Sequence, residues 1–110
     1  MNMNKKIISA NVIINKRFSM KKMMDIYLSA KNFNGTVYLL NNHKIVDISS
    51  LSKIVSFLLM VQPYTKLKII VEGIEVQNQL DKVKEICTEE IGDLIISKER
   101  QVHLYQTIQL

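Results

Sequence analysis

What most narrows the folds open to this chain is the order in which two hydrophobic periods alternate along it. Apolar residues recur at every second position in some segments and at three-to-four spacing in others, which separates strands from helices. Lys6 to Ile14 is apolar and rich in β-branched residues, so it reads as a first strand. Ser19 then precedes Met20, Met23, Met24, Tyr27 and Leu28 at helical spacing. A serine there caps a helix by accepting a hydrogen bond from a free N–H of the first turn. This helix is expected to end near Asn32, ahead of Asn34-Gly35. Thr36 to Leu40 reads as a second strand, Asn41-Asn42-His43 as a hairpin turn, and Lys44 to Ile48 as a short third strand. Ser49-Ser50 offers the next cap, followed by Leu51, Ile54, Val55 and Leu58 on one helical face. Phe57, Leu59, Met60 and Val61 widen that face almost to the whole circumference, which asks for a partner or the C-terminal tail to cover part of it. Lys66 to Val71 alternates lysine with apolar residues as a fourth strand, and Glu72-Gly73 turns out of it. Val76, Leu80, Val83 and Cys87 mark the inner face of a third helix.

The order β-α-β-β-α-β-α predicts an α+β open-faced sandwich, one antiparallel sheet with three helices on one face. At 110 residues there is chain for one core only. Two topologies begin this way, the ferredoxin-like and the phosphocarrier fold. They differ in strand order, and periodicity does not choose between them. Residues 1–92 are read as the folded domain and 93–110 as an extension. In that extension Leu94-Ile95-Ile96 offers a continuation of the third helix, while Val102, Leu104, Ile108 and Leu110 fall on even positions, as in a strand. It has three courses open: adding to a sheet edge, pairing with a second copy as a homodimer, or staying loose.

Other function classes fall away on residue chemistry. The one cysteine, Cys87, forms no internal disulfide, which fits a reduced, cytoplasmic setting. A single Cys and two His in unrelated segments make neither a zinc site nor a catalytic triad. No glycine-rich phosphate loop is present, so the reading is of a protein that is not an enzyme and takes no cofactor. No apolar run is long enough to span a bilayer. An RNA-recognition fold needs stacking aromatics on its central strands, and Tyr38 alone is not enough, which leaves nucleic acid a weak candidate resting on the basic corner.

The net charge of +5 is unevenly placed: residues 1–22 carry +6 and residues 71–110 carry −4. Within the basic part, Arg17, Ser19, Lys21 and Lys22 gather where the first helix starts, and a helix N-terminus attracts anions through its free N–H groups and dipole. These four are anion-binding candidates. The plainer reading is that Ser19 only caps and the lysines are solvated.

From Phe18 to about Ile91 the chain resembles HPr, the histidine-containing phosphocarrier of the bacterial sugar phosphotransferase system. The resemblance rests on the joint spacing of Ala30-Lys31-Asn32-Phe33-Asn34, His43-Lys44, Ser50-Leu51 and Val71-Glu72-Gly73. It implies a four-stranded sheet in the order 1-4-2-3. It also implies a departure at the centre, because Ser19 stands where the family carries its phosphorylatable histidine. Lys21 and Lys22 replace the arginine and proline that follow. An imidazole nitrogen forms a labile phosphoramidate near neutral pH, whereas a serine phosphoester is inert. The resemblance therefore implies a regulatory or scaffolding relative, with an active phosphocarrier as the remote alternative.

Ser50 matches the serine that an ATP-dependent kinase modifies in Gram-positive relatives, whose modified form binds a catabolite-control transcription factor. It is the regulatory phosphorylation candidate. The second helix is the family's docking face, which makes Leu51, Ser52, Val55 and Phe57 candidates for partner docking, with core packing as the other reading of Val55 and Phe57. Ser52 departs from the family's bulky apolar residue, and Leu58 replaces a glycine that ends this segment, so the helix is expected to run to about Gln62. The implied partners are proteins of the phosphotransferase or catabolite-control type. The rival class is an interaction or self-association module unrelated to sugar transport.

Overall fold

The computed structural model describes residues 5–42, 44–92 and 94–101. In chain order the elements are β1 (Lys6–Ile13), α1 (Met20–Lys31), β2 (Gly35–Asn41), β3 (Lys44–Asp47), α2 (Leu51–Met60), β4 (Lys66–Gly73), α3 (Val76–Ile86) and β5 (Ile95–Gln101). The strands form one antiparallel sheet in the order β3-β2-β4-β1-β5. Its first four members have the expected order 1-4-2-3, and β5 lies outside β1 as a fifth.

Alternation places the core. Ile8, Ala10 and Val12 of β1, Val37 and Leu39 of β2, and Leu67, Ile69 and Val71 of β4 are buried on the helical face. Against them pack Met23 and Ile26 of α1, Ile54, Phe57 and Leu58 of α2, and Leu80 and Val83 of α3. The register keeps these sets aligned, with Ile8 opposite Val71 and Val37 opposite the same Val71. A slip of one residue would turn all of them to the other face.

At the far end of β4 the chain crosses itself closely. Gly35 and Gly73 are register partners, and a Cβ on Gly35 would collide with the carbonyl oxygen of Glu72. One on Gly73, at φ 145°, would collide with that of Asn34. Glu72-Gly73 is thus the last part of β4 rather than the turn after it, because only glycine on both strands lets the backbones meet. At the β2–β3 hairpin, Asn41 pairs with Lys44 and Asn42 adopts φ 56°, a left-handed conformation that asparagine tolerates. His43 lies outside the described residues.

Two further expectations are corrected. α2 stops at Met60 instead of Gln62, since Val61 turns to an extended ψ of 125° and sends its side chain into the core. Leu94-Ile95-Ile96 does not prolong α3, which ends at Ile86; Ile95–Gln101 instead takes the sheet edge beside β1. Val102, Leu104, Ile108 and Leu110, with His103, lie outside the described residues.

Candidate functional site

Phe18 anchors the approach to α1 in the core, so Ser19 is fixed one residue ahead of the helix. Its backbone is extended, and its hydroxyl accepts from the Lys22 N–H at 3.2 Å while its carbonyl accepts from Met23 N. The three basic neighbours are each directed elsewhere. Arg17 donates to the Leu59 carbonyl at 3.4 Å and to Gln62 Oε1 at 3.3 Å, at the end of α2. Lys21 pairs with Asp25 one turn on, at 3.2 Å. Lys22 reaches back to α3 and donates to the Ile86 carbonyl at 2.7 Å. Arg17 and Lys22 thereby supply donors and positive charge to two helix C-termini, whose last carbonyls lack partners within the helix. The basic corner ties the start of α1 to the ends of α2 and α3.

Beneath Lys22 lies a buried carboxylate. Glu90 is 3 % exposed, its Oε1 accepts no hydrogen bond, and its nearest cation is Lys22 Nζ at 3.9 Å. Cys87 sits beside it. Burial pushes that thiol up to about 12, Glu90 adds to the rise, and Lys22 opposes it. So high a value keeps the sulfur protonated and unreactive at neutral pH.

At the other helix start, Ser50 has an extended backbone and occupies the cap position of α2 without a side-chain bond to the helix. Its hydroxyl lies 3.0 Å from that of Ser52, and its carbonyl accepts from Ile54 N. The preceding Ser49 uses its N–H on Asp47 Oδ1 at 2.9 Å. No acid stands in the first turn of α2, so the positive end of its dipole is uncompensated. Of the docking candidates, Ser52 is exposed and Leu51 and Val55 are half-buried. Phe57 takes the core reading over the docking one: at 2 % exposure it packs with Ile54 and Leu58.

The helical spacing of α1 conceals a division that the pattern alone did not separate. Met23 is buried and Tyr27 packs against the core, whereas Met20, Met24 and Leu28 remain exposed. These three follow at four-residue intervals and form one outward apolar stripe. Leu59 and Met60 are likewise exposed at the end of α2, where Arg17 donates to the Leu59 carbonyl. Methionine is unbranched and polarizable and adapts to a partner's shape.

Among the described residues no cluster of His, Cys, Asp and Glu has the makings of a metal site, and no helix is long and apolar enough to cross a membrane. No family profile matches the chain, and no curated protein sequence does. Among solved structures the chain is similar to the histidine-containing phosphocarrier protein from Mycoplasma, with TM-score 0.64 and 13 % identity, over 74 % of this chain and 92 % of that one. The fold is HPr-like: four antiparallel strands ordered 1-4-2-3 under three helices, with β5 as a fifth strand beside β1.

Proposed function

We propose that this chain is an HPr-like docking protein that serves a phosphotransferase system without carrying phosphate on histidine. The observation that carries the reading is Ser19, which stands where the family's histidine would begin the first helix and whose hydroxyl is held as a cap on Lys22 N. An alcohol there has no lone pair of imidazole basicity, and a phosphate placed on it would not transfer onward. The stripe of Met20, Met24 and Leu28 supports protein docking, since exposed apolar patches of this kind mark interaction sites. The partners in this reading are proteins of the phosphotransferase or catabolite-control type, and the setting is the cytoplasm. Arg17 and Lys22 then act in holding the helices and Lys21 pairs within α1, more than the three gather one anion, because each has a partner of its own.

Ser50 is the proposed switch. Its hydroxyl is not committed to capping, and phosphorylation would bring close to two negative charges to the uncompensated start of α2.

The test compares the protein with Ser19→His in the presence of enzyme I and phosphoenolpyruvate. The native chain is expected to gain no acid-labile phosphate, and Ser19→His is expected to gain it if the docking surface is intact. A native chain that accepts phosphoryl groups and passes them on would overturn the proposal. In parallel, an HPr-type kinase with ATP should add one phosphate, mapped to Ser50. A chain that binds neither enzyme I nor a catabolite-control regulator in either state would belong to the rival class of interaction modules.

A further inference from the structure

The sheet has a second face, turned away from the helices, and burial there is uneven. Alternation along the strands assigns to it Ile7, Ser9 and Ile13 of β1, Ile70 of β4, Tyr38 of β2 and Ile45 of β3. All three helices pack on the other side, and Ile7 and Ile70 do not belong to the core gathered beneath them. Yet Ile70 is 0 % exposed and Ile7 only 7 %. The cross-strand partners of Ile70 are Ser9 and Tyr38, which are themselves half-buried. Side chains on a pleated face stand beside one another, roughly perpendicular to the sheet, so neighbours flank an isoleucine without roofing it. Complete burial calls for a layer above. That layer does not extend over the whole face, because Ile13 is 41 % exposed and Ile45 43 %. The covered half is the one in which Lys6 faces Gln101, where β5 finishes.

We infer that residues 102–110 are the occupant, crossing this half of the face as a strap over Ile7 and Ile70. The segment follows directly on Gln101 and holds no Asp, Glu, Lys or Arg, so an apolar face costs it no desolvated charge. Val102, Leu104, Ile108 and Leu110 recur at even positions, and extended backbone turns all four to one side. The length also suffices: a segment of this size reaches about 30 Å when extended. The strand spacings from β5 across β1 and β4 to β2 add up to about 14 Å. The open-faced sandwich thereby gains a partial third layer, and a protein docking on the sheet has to displace the strap first. This inference stands apart from the docking proposal, for it involves neither Ser19, Ser50 nor the α1 stripe.

NMR of the methyl-labelled full chain tests it. Nuclear Overhauser contacts are expected from the methyl groups of Leu104 and Ile108 to those of Ile7 and Ile70. They should persist when labelled protein is diluted into an excess of unlabelled protein, as contacts within one chain do. The double variant Leu104→Ser, Ile108→Ser changes no residue of the β1–β5 ladder. It is expected to keep that ladder, lose the contacts and bind anilinonaphthalene sulfonate several-fold more strongly, since the dye reports exposed apolar surface. Contacts that vanish on dilution would assign the face to the tail of a second copy. Contacts missing from the native chain, or dye binding unchanged in the variant, would assign it to some other cover. Any of these results would overturn the inference.

Discussion

Ser19 and Ser50 occupy the same formal position, one residue ahead of a helix, yet only Ser19 spends its hydroxyl on the helix backbone. Ser19→Ala should therefore cost about 1 kcal/mol in urea unfolding. Ser50→Ala should cost less than about 0.5 kcal/mol, as a surface substitution that breaks no cap. Equal losses would show that the two serines cap alike. Lys22→Met removes the donor to Ile86 and leaves Glu90 inside without its nearby cation. We expect a loss of about 1–2 kcal/mol, part of it recovered by adding Glu90→Gln, as read from a double-mutant cycle. A neutral Lys22→Met would refute the tie. For Cys87 the sign is set by its raised value. Above the ordinary 9.0 the unfolded chain loses the thiol proton while the folded one keeps it, up to about 12. Stability from this group is intact below pH 9 and drains away as the pH rises toward 12. Cys87→Ala should flatten that part of the alkaline stability curve, and an unchanged curve would contradict it. Ser19 as a cap and Cys87 as an inner-face residue were legible in the sequence, because both are local patterns. The Lys22–Ile86 and Arg17–Leu59 contacts were not, because they join segments that only tertiary packing brings together.

At the scale of elements, the period of apolar residues located seven of the eight segments and left the eighth among alternatives. What it missed has physical causes. The end of β4 read as a turn because Gly73 is a turn former in isolation, whereas here it exists to meet Gly35. Gly73→Ala should accordingly lower stability by at least about 2 kcal/mol in denaturant unfolding, since the added methyl faces backbone that has no room to give. A mild effect would mean that the crossing is looser than described. α1 read as one apolar face because period alone does not distinguish the inner Met23 from the outer Met24. β5 was ambiguous because Leu94-Ile95-Ile96 suits a continuation of α3 while the extension as a whole also had a sheet edge open to it, and the free edge of β1 decided it. Deleting residues 93–110 should leave the order 1-4-2-3 in place while the β1 amides that face β5 lose hydrogen-exchange protection. Undiminished protection there would remove β5 from the sheet.

The molecule as a whole is held by β1, which has neighbours on both sides that come late in the chain. Ile8 faces Val71 across one ladder and Glu99 across the other, while the helices above are gathered at Arg17 and Lys22. The sandwich class and the helix count follow from the sequence because each helix buries a stripe that its own residues declare. The identity of the outer strand beside β1 is a property of the assembled sheet. Lys6 is the register partner of Gln101, so β5 finishes alongside the point at which β1 starts. A short turn would bridge them, converting two distant segments into a hairpin. A circular permutant joined there and opened between β2 and β3 would replace the longest search in refolding with a local closure, and its folding rate should rise accordingly.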